Sequence, residues 1–485
     1  MLRPFAKHVL LFFSYGLLGV LLTLIVVLVL MMQGRPELQP WHVAALQSEF
    51  LASKAKEVTD LNAYLALESR LFGELETEVF DLAPAAQQRS YHRFANNSRS
   101  DARGYAVNWN RTLVRKHPNS RGAVLLLHGL SDAPYSLRSL AELIYGQGYS
   151  VLALRLPGHG TAPAALLRTK HQDWMAAMRL AMRHLASQSE ADAPLYIVGY
   201  STGAALAVEY AAARLQGEAL PEPAGLVLLS PAIGVSPLAA LAVWLERISA
   251  LPGLAKLAWT DILPEYDPYK YNSFTANASK QVYQLTLHIG EQLQALSGSE
   301  GVVGMPPILA FQSVADATVS APAVLQALFL RLAPERHELV AFDINRNADV
   351  SQLLAQPVAD VRTQLLQGPL LPVDLTLVTN AHEETDALVA IRRAAQSEAT
   401  TTERLELRWP ARTYSLSHVA VPFPSNDPIY GAVPDPDSDG IFLGNVAFRG
   451  ESDLLAVSAT SQLRLRHNPF FPYLEQRLIE FLGGG

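Results

Sequence analysis

The sequence predicts an α/β fold in which helices flank a mainly parallel sheet. From about residue 102, apolar strand-like runs alternate with amphipathic helical runs, and such alternation is typical of strand–helix–strand units. The segment Gly199–Gly203 holds a serine between two glycines and lies between one of these strands and the helix that follows. Because sites in parallel sheets form where strands end, this serine is the first candidate functional residue.

The predicted strands and helices alternate along the chain, as a mainly parallel sheet requires. The predicted strands are 123–127, 150–154, 195–198, 225–229 and 308–311, and the predicted helices are 136–145, 173–187 and 203–208. The strands consist almost entirely of apolar residues, which predicts that they are buried. We therefore assign residues 101–485 to a single α/β domain.

Composition supports a large folded domain and excludes several classes of protein. Of the 485 residues, 49% are hydrophobic and only 17% are charged, so a sizeable core is expected and disorder is not. The net charge of −7 and the lack of a basic tail argue against a nucleic-acid partner. Cysteine is absent, which excludes disulfides, thiolate metal sites and cysteine nucleophiles. The sequence contains no metal-binding or phosphate-loop motif, so we expect no cofactor.

The N-terminal region predicts a membrane anchor. Residues 9–32 carry no charge, and a helix of that length covers roughly 36 Å, enough to cross a bilayer. A cleaved signal peptide is the alternative, but its apolar core is usually shorter and ends at small residues. Arg3 and Lys7 precede the run and Arg35 follows it. This slight bias places the tail, residues 1–8, inside the cytoplasm and the main domain outside it, in the periplasm if the cell is bacterial.

Two further segments are predicted to surround the main domain. Residues 33–100 contain apolar positions at helical spacing between Trp41 and Leu82, which predicts a helical stalk packed on the domain, with a partner-binding helix as the alternative. Residues 231–307 interrupt the strand rhythm and are apolar and aromatic. We interpret them as a lid over the strand ends, where a pocket for an acyl or alkyl group needs an apolar roof. A plain packing insertion is the alternative.

A serine hydroxyl needs a general base, an acid that orients the base, and two N–H donors for the oxyanion before it can act as a nucleophile. The amide of Thr202, directly after Ser201, is the first candidate donor. The amide of Leu130 is the second, because it follows the strand 123–127 and the turn residue Gly129. We interpret the adjacent His128 as a structural residue of this loop.

The candidate acid is Asp316, which lies just past the strand 308–311. This position suits the chain order serine, acid, histidine. Asp343 and Asp349 follow the next apolar run and are competitors.

The candidate base is His418, which lies in a loop that is interrupted by prolines and is free to present its side chain. His382 is the main competitor, although its acidic neighbours suggest the first turn of a surface helix. His337 precedes a strand and His467 lies in a terminal loop, which makes both less suitable.

Four motifs together resemble the serine α/β-hydrolases, and most closely the group of monoacylglycerol lipases, lysophospholipases and carboxylesterases. They are the segments 128–134, 155–160, 199–203 and 314–319. The resemblance covers roughly residues 122–319, and it implies an α/β-hydrolase fold. About 100 residues separate the acid from the histidine, more than in that family, so we expect a second insertion at about 343–404.

The resemblance also implies roles for particular residues. Ser201 would be the nucleophile, Asp316 and His418 its partners, and Leu130 and Thr202 the oxyanion donors. The expected function is therefore a membrane-anchored serine hydrolase that cleaves carboxylic esters through an acyl-enzyme, with a lipid-like or amphiphilic small molecule as substrate. A peptidase or amidase of the same fold is one alternative, and a non-catalytic membrane scaffold is the other.

Overall fold

A ten-stranded sheet forms the centre of the structure. The computed structural model describes residues 2–83, 91–234, 253–316, 319, 321–347, 356–436, 438, 440–444 and 458–484. In chain order the strands of this sheet and of a small two-stranded sheet are β1 Leu113–Arg115, β2 Ala123–Leu127, β3 Ser150–Leu154, β4 Leu195–Tyr200, β5 Gly225–Leu229, β6 Trp259–Asp261, β7 Phe274–Thr275, β8 Ile308–Ser313, β9 His337–Phe342, β10 Asp374–Asn380, β11 Ala387–Arg393 and β12 Thr400–Arg408.

The order of the strands in the large sheet is β1-β3-β2-β4-β5-β8-β9-β10-β11-β12. The seven neighbouring strands β3, β2, β4, β5, β8, β9 and β10 run parallel to one another. By contrast, β1 is antiparallel to β3, β11 to β10, and β12 to β11. The predicted α/β-hydrolase fold with a mainly parallel sheet is thus confirmed. β4 lies between β2 and β5, and Leu127 pairs with Gly199 in register. Ser201 therefore emerges where the ends of several parallel strands meet.

Helices cover both faces of the sheet. The α-helices in chain order are α1 Leu2–Gln33, α2 Pro40–Val43, α3 Leu61–Leu75, α4 Arg138–Gly146, α5 His171–Gln188, α6 Thr202–Leu215, α7 Ala276–Leu296, α8 Ala321–Ala327, α9 Gln356–Gln367, α10 Ala459–Gln462 and α11 Phe471–Gly483. Alternate residues of β2 enter different cores: Leu125 and Leu127 pack with α5 and α6, while Val124 and Leu126 pack with α4 and α11. The strand is buried on both faces, which explains its uninterrupted apolar sequence.

The segment predicted as a second insertion, residues 343–404, extends the large sheet. β10 lies parallel to β9, and β11 and β12 then fold back as antiparallel strands. The long separation between Asp316 and His418 is therefore occupied mainly by further strands of the same sheet and by α9.

The region predicted as a helical stalk, residues 33–100, packs against the α/β domain. Its longest helix is α3, and shorter helical turns precede and follow it. The guanidinium of the buried Arg155 contacts two carboxylates of this region, Glu49 at 2.9 Å and Glu68 at 3.1 Å. The hydroxyl of Tyr64 also donates to the carbonyl of Arg155 at 2.7 Å. These contacts fix the region to the turn that follows β3.

The prediction for the N-terminus requires a correction. Residues 2–33 do form one helix, α1, but no helix in the described part of the chain combines the length and the apolarity needed to cross a membrane. The predicted anchor over 9–32 and the single-pass topology are therefore wrong, and the predicted membrane partner and location outside the cytoplasm lose the observation on which they rested.

Candidate active site

Ser201 lies at a sharp turn between β4 and α6. Its φ is +53°, a left-handed conformation that costs energy for any residue other than glycine. The two glycines of the motif are required by close packing. A Cβ on Gly199 would lie 2.4 Å from the backbone nitrogen of Ala204, and one on Gly203 would lie 2.0 Å from the carbonyl oxygen of Leu127. The sequence therefore forces the serine into the strained turn that was predicted for it.

The structure brings the predicted nucleophile, base and acid together. The imidazole Nε2 of His418 lies 3.2 Å from Ser201 Oγ, and its Nδ1 lies 2.7 Å from Asp316 Oδ2. All three residues are buried, with 8%, 6% and 5% of their surfaces exposed for Ser201, His418 and Asp316. In a buried setting the carboxylate has little water to compete with the imidazole, so it fixes the tautomer in which Nδ1 carries the proton. In that tautomer Nε2 is the acceptor of a hydrogen bond from the serine hydroxyl.

The competing candidates lie elsewhere or are engaged differently. The carboxylate of Asp343 accepts from Arg346 at 2.8 Å and from the hydroxyl of Thr379 at 2.7 Å, so it has a structural role after β9. His382 is exposed in the turn between β10 and β11, not in the first turn of a helix as the acidic neighbours suggested. Asp349 lies outside the described residues.

The loop after β2 carries the predicted oxyanion donor Leu130. His128 is fully buried within it: its Nδ1 donates to the carbonyl of Gly129 at 2.9 Å, and its Nε2 accepts from the backbone amide of Leu156 at 3.0 Å. Burial, reinforced by the nearby His159, lowers the pKa of His128 well below its usual value, so the ring is neutral. The structural interpretation of His128 is consistent with these contacts.

The two predicted oxyanion donors lie at the serine turn and in the loop that follows the neighbouring strand β2. Thr202 is the first residue of α6, where the helix dipole favours negative charge. Among the described residues, no acceptor is recorded for the backbone amide of Thr202 or of Leu130. An N–H group without an internal acceptor is what the predicted oxyanion role requires of each residue.

Part of the segment predicted as a lid packs against the oxyanion loop. The backbone amide of Tyr271 donates to the carbonyl of Ser131 at 2.9 Å, and the ammonium of Lys270 lies 3.0 Å from a carboxylate oxygen of Asp132. Ser131 itself has a φ of +63°. The contacts from 270–271 therefore hold a strained loop in place. Residues 235–252 of the same segment lie outside the described residues.

Two residues of the site were not found by sequence reasoning. The side chains of Gln312 and Ser313, at the end of β8, are fully buried. The amide of Gln312 donates to Asp316 Oδ2 at 3.1 Å, and the hydroxyl of Ser313 donates to the carbonyl of Leu416 at 2.6 Å. A glutamine and a serine that end an otherwise apolar strand are the signal that could have indicated them.

A cleft of about 570 Å³ lies away from this constellation, between the N-terminal region and the start of α5. It is lined by residues of 44–54 and 164–173, none of which is a predicted site residue. Within the described part of the chain, no cluster of three or more His, Cys, Asp or Glu side chains is placed to hold a metal ion. This cleft therefore contains none of the residues that were predicted to carry the catalytic chemistry.

Comparisons with known proteins agree with the predicted family resemblance. Residues 118–344 match the family described as "Serine aminopeptidase, S33". A thermostable monoacylglycerol lipase of Bacillus sp. (strain H-257) is 32% identical over 122 residues, which are 25% of this chain and 45% of the relative. The chain thus spans less than half the length of that curated relative. The predicted resemblance to serine α/β-hydrolases is confirmed.

Solved structures with a similar fold include lipolytic enzymes. A structure from a study of LipS and LipT, two metagenome-derived lipolytic enzymes, is 24% identical, covers 50% of this chain and 90% of its own, and has a TM-score of 0.39. The monoacylglycerol lipase of Paleococcus ferrophilus is also 24% identical, covers 48% of this chain and 87% of its own, and has a TM-score of 0.36.

Proposed function

We propose that this chain is a serine hydrolase that cleaves carboxylic esters with a hydrophobic acyl group through an acyl-enzyme on Ser201. The observation that carries the proposal is the hydrogen-bonded chain from Ser201 through His418 to Asp316, with separations of 3.2 and 2.7 Å. A serine in a strained turn, an imidazole within hydrogen-bond distance of it and a buried acid in this arrangement form the machinery of nucleophilic catalysis.

The first half of the proposed reaction forms the acyl-enzyme. Ser201 Oγ attacks the ester carbonyl carbon while its proton passes to His418 Nε2. The carbonyl oxygen becomes an oxyanion that accepts hydrogen bonds from the amides of Leu130 and Thr202. When the tetrahedral intermediate collapses, the bond from carbon to the alcohol oxygen breaks, and the proton on Nε2 moves to the departing alcohol.

The second half releases the acid. Water attacks the acyl carbon and gives its proton to His418 Nε2, and the oxyanion forms again at the same two amides. Collapse breaks the bond between the acyl carbon and Ser201 Oγ, which takes back the proton. Asp316 remains ionised in both halves, because its role is to orient the imidazole and stabilise the imidazolium.

Two observations support a hydrophobic ester as the substrate. A curated relative, 32% identical to this chain over 122 residues, is a monoacylglycerol lipase. The described part of the segment 231–307 also contacts the oxyanion loop through Tyr271 and Lys270, so we propose that this segment covers the site and supplies apolar surface to an acyl chain.

An amide or peptide substrate is the second candidate function. The matched family is described as a serine aminopeptidase, and the same nucleophile, base and oxyanion donors serve amide cleavage. A choice between the two substrate classes requires a measurement, because both use the same residues.

The test is a substrate series with purified full-length protein. Nitrophenyl esters of increasing acyl length are compared with matched anilides and aminoacyl amides, in the wild type and in Ser201→Ala. We expect ester hydrolysis that rises with acyl length and disappears in Ser201→Ala. Faster turnover of the amides would favour the peptidase, and equal ester turnover in Ser201→Ala would exclude this site. A folded protein without turnover of any substrate would indicate a non-catalytic role.

A further inference from the structure

We propose that Gln312 and Ser313, the last two residues of β8, are positioning residues that hold the acid and the base of the serine site in register. The inference rests on the proposed function and adds to it the residues that maintain the geometry. We call this pair the β8 brace.

The need for a brace follows from the chain topology. Asp316 and His418 are 102 positions apart; Asp316 lies in a loop and His418 begins a short 3-10 turn at the end of a loop, both outside the ladder of the sheet. Loops are less firmly held than strands, yet His418 Nδ1 must stay within hydrogen-bond distance of Asp316 Oδ2. A displacement of about 1 Å at such a contact can cost roughly 100-fold in rate. Contacts between the two loops and a rigid strand are therefore required.

Ser313 supplies the contact to the histidine loop. Its hydroxyl donates to the carbonyl of Leu416 at 2.6 Å, and Leu416 lies two positions before His418. Ser313 is fully buried and is held by the parallel pairing of β8 with β9. The bond therefore connects the loop that presents the base to the strand from which the acid emerges.

Gln312 supplies the contact to the acid. Its Nε2 donates to Asp316 Oδ2 at 3.1 Å and to the carbonyl of Val319 at 2.8 Å. Asp316 Oδ1 accepts from the backbone amide of Val319 at 2.9 Å. One oxygen of the carboxylate is thus fixed by a backbone amide, and the other is shared between Gln312 and His418. A third and longer contact, at 3.5 Å, is to the carbonyl of Ser313, and because all three acceptors are oxygens, the amide nitrogen of the glutamine must face them.

The two contacts predict opposite effects on the pH profile. The amide of Gln312 stabilises the negative charge of Asp316, so its removal should make the carboxylate bind the imidazolium of His418 more strongly. The acid limb of kcat/KM, which reports protonation of the base in the free enzyme, should then move to higher pH. Removal of the Ser313 hydroxyl should let the imidazole drift from the carboxylate, so the acid limb should move to lower pH.

The experiment compares Ser313→Ala and Gln312→Met with two matched controls. Ser100 is also fully buried and donates to a backbone carbonyl, that of Tyr266, at 2.6 Å, so Ser100→Ala removes the same kind of bond elsewhere. Gln292 is a buried glutamine whose amide oxygen has no partner among the described residues, as in Gln312, so Gln292→Met matches the second variant.

The kinetic constants and the pH profile are measured with one short-chain ester. We expect kcat to fall about tenfold in Ser313→Ala with KM nearly unchanged, since the base is displaced and substrate binding is not. The acid limb should move down in Ser313→Ala and up in Gln312→Met, while both controls keep the wild-type profile. Unchanged acid limbs in the two β8 variants, or the same shifts in the controls, would overturn the proposal.

A second readout does not depend on activity. The proton between His418 Nδ1 and Asp316 is expected as a low-field proton NMR signal, assigned by its loss in His418→Ala. It should shift in both β8 variants and not in the controls, and an unmoved signal would overturn the brace. If the wild type shows this signal but hydrolyses no substrate, the proposed function fails. The shift of the signal in the two β8 variants still tests the brace in that case. If Ser313→Ala unfolds, Ser313→Thr must retain the wild-type signal, because it keeps the hydroxyl.

Discussion

Replacement of His418 by alanine removes the proposed base and should abolish catalysis. The imidazole is the group within 3.2 Å of Ser201 Oγ and 2.7 Å of Asp316 Oδ2, so the alanine variant loses both links of the hydrogen-bonded chain. Loss of a triad member lowers kcat by about 10⁴ or more, which corresponds to roughly 5.5 kcal/mol of transition-state stabilisation. Initial rates on one short-chain ester measure this loss.

The fold should survive the substitution, although with a measurable cost. His418 is 6% exposed, and its removal leaves the buried carboxylate of Asp316 without one of its donors. Such a loss costs about 1–3 kcal/mol, so thermal melting must accompany the kinetics. A melting temperature near that of the wild type together with lost activity locates the effect in catalysis.

His382→Ala is the matched control. This histidine is exposed in the turn between β10 and β11, and exposed substitutions usually change stability by less than about 0.5 kcal/mol. We expect wild-type kcat and KM. If His382→Ala were inactive and His418→Ala active, the assignment of the base and the path of the chain after Asp316 would both be refuted.

Three predictions concern stability and are measured by denaturant unfolding. Gly203→Ala places a Cβ 2.0 Å from the carbonyl oxygen of Leu127, so the free energy of unfolding should fall by about 1–3 kcal/mol or more, and an unchanged value would contradict the packing described. Glu68→Ala leaves the guanidinium of the buried Arg155 with one carboxylate fewer, so the free energy of unfolding should fall by about 3–5 kcal/mol. A fall of less than about 1 kcal/mol would show that this ion pair is not needed for stability. Burial raises the pKa of Glu265 from 4.5 to about 7, so folding disfavours its ionised form, and the contribution of this residue to the free energy of unfolding should fall by about 3 kcal/mol between pH 4.5 and 7. Glu265→Gln cannot ionise and should lack that part of the slope, whereas equal slopes would contradict the assignment.

The parts of the fold that sequence predicted best are those whose surroundings are uniform. β2, β3 and β5 lie at the predicted residues, because a parallel strand buried on both faces is a continuous apolar run. The turn at Ser201 was equally easy to predict, since its glycines and serine are contiguous in sequence, although Gly203 is required by a contact with Leu127 on the neighbouring strand β2.

The parts that sequence did not reveal depend on long-range contacts. β12 lies at the edge of the large sheet and is mostly exposed, so its sequence Thr400–Arg408 carries no apolar signal of a strand. The acidic residues after His382 suggested a helix start, but they occupy a turn whose conformation is set by the pairing of β10 with β11. Local charge patterns do not report such pairing.

The candidate site also contains residues that the sequence could identify and residues that only long-range contacts reveal. Ser201 and its neighbouring amide are adjacent in sequence, so the motif was sufficient to propose them. Gln312 and Ser313 act on residues up to 103 positions away, and a polar residue at a strand end does not by itself indicate its partner. The side-chain contacts in the structure were needed to identify the β8 brace.

The most direct test of the account is the covalent modification of Ser201. A fluorophosphonate probe reacts with a serine hydroxyl that a neighbouring base has activated, and peptide mass spectrometry then identifies the modified residue. We predict one adduct on the wild-type protein, located in the peptide that contains Ser201, and none on Ser201→Ala or on the folded His418→Ala variant. An adduct on another serine, or equal labelling of Ser201→Ala, would contradict the assignment of this residue as the nucleophile.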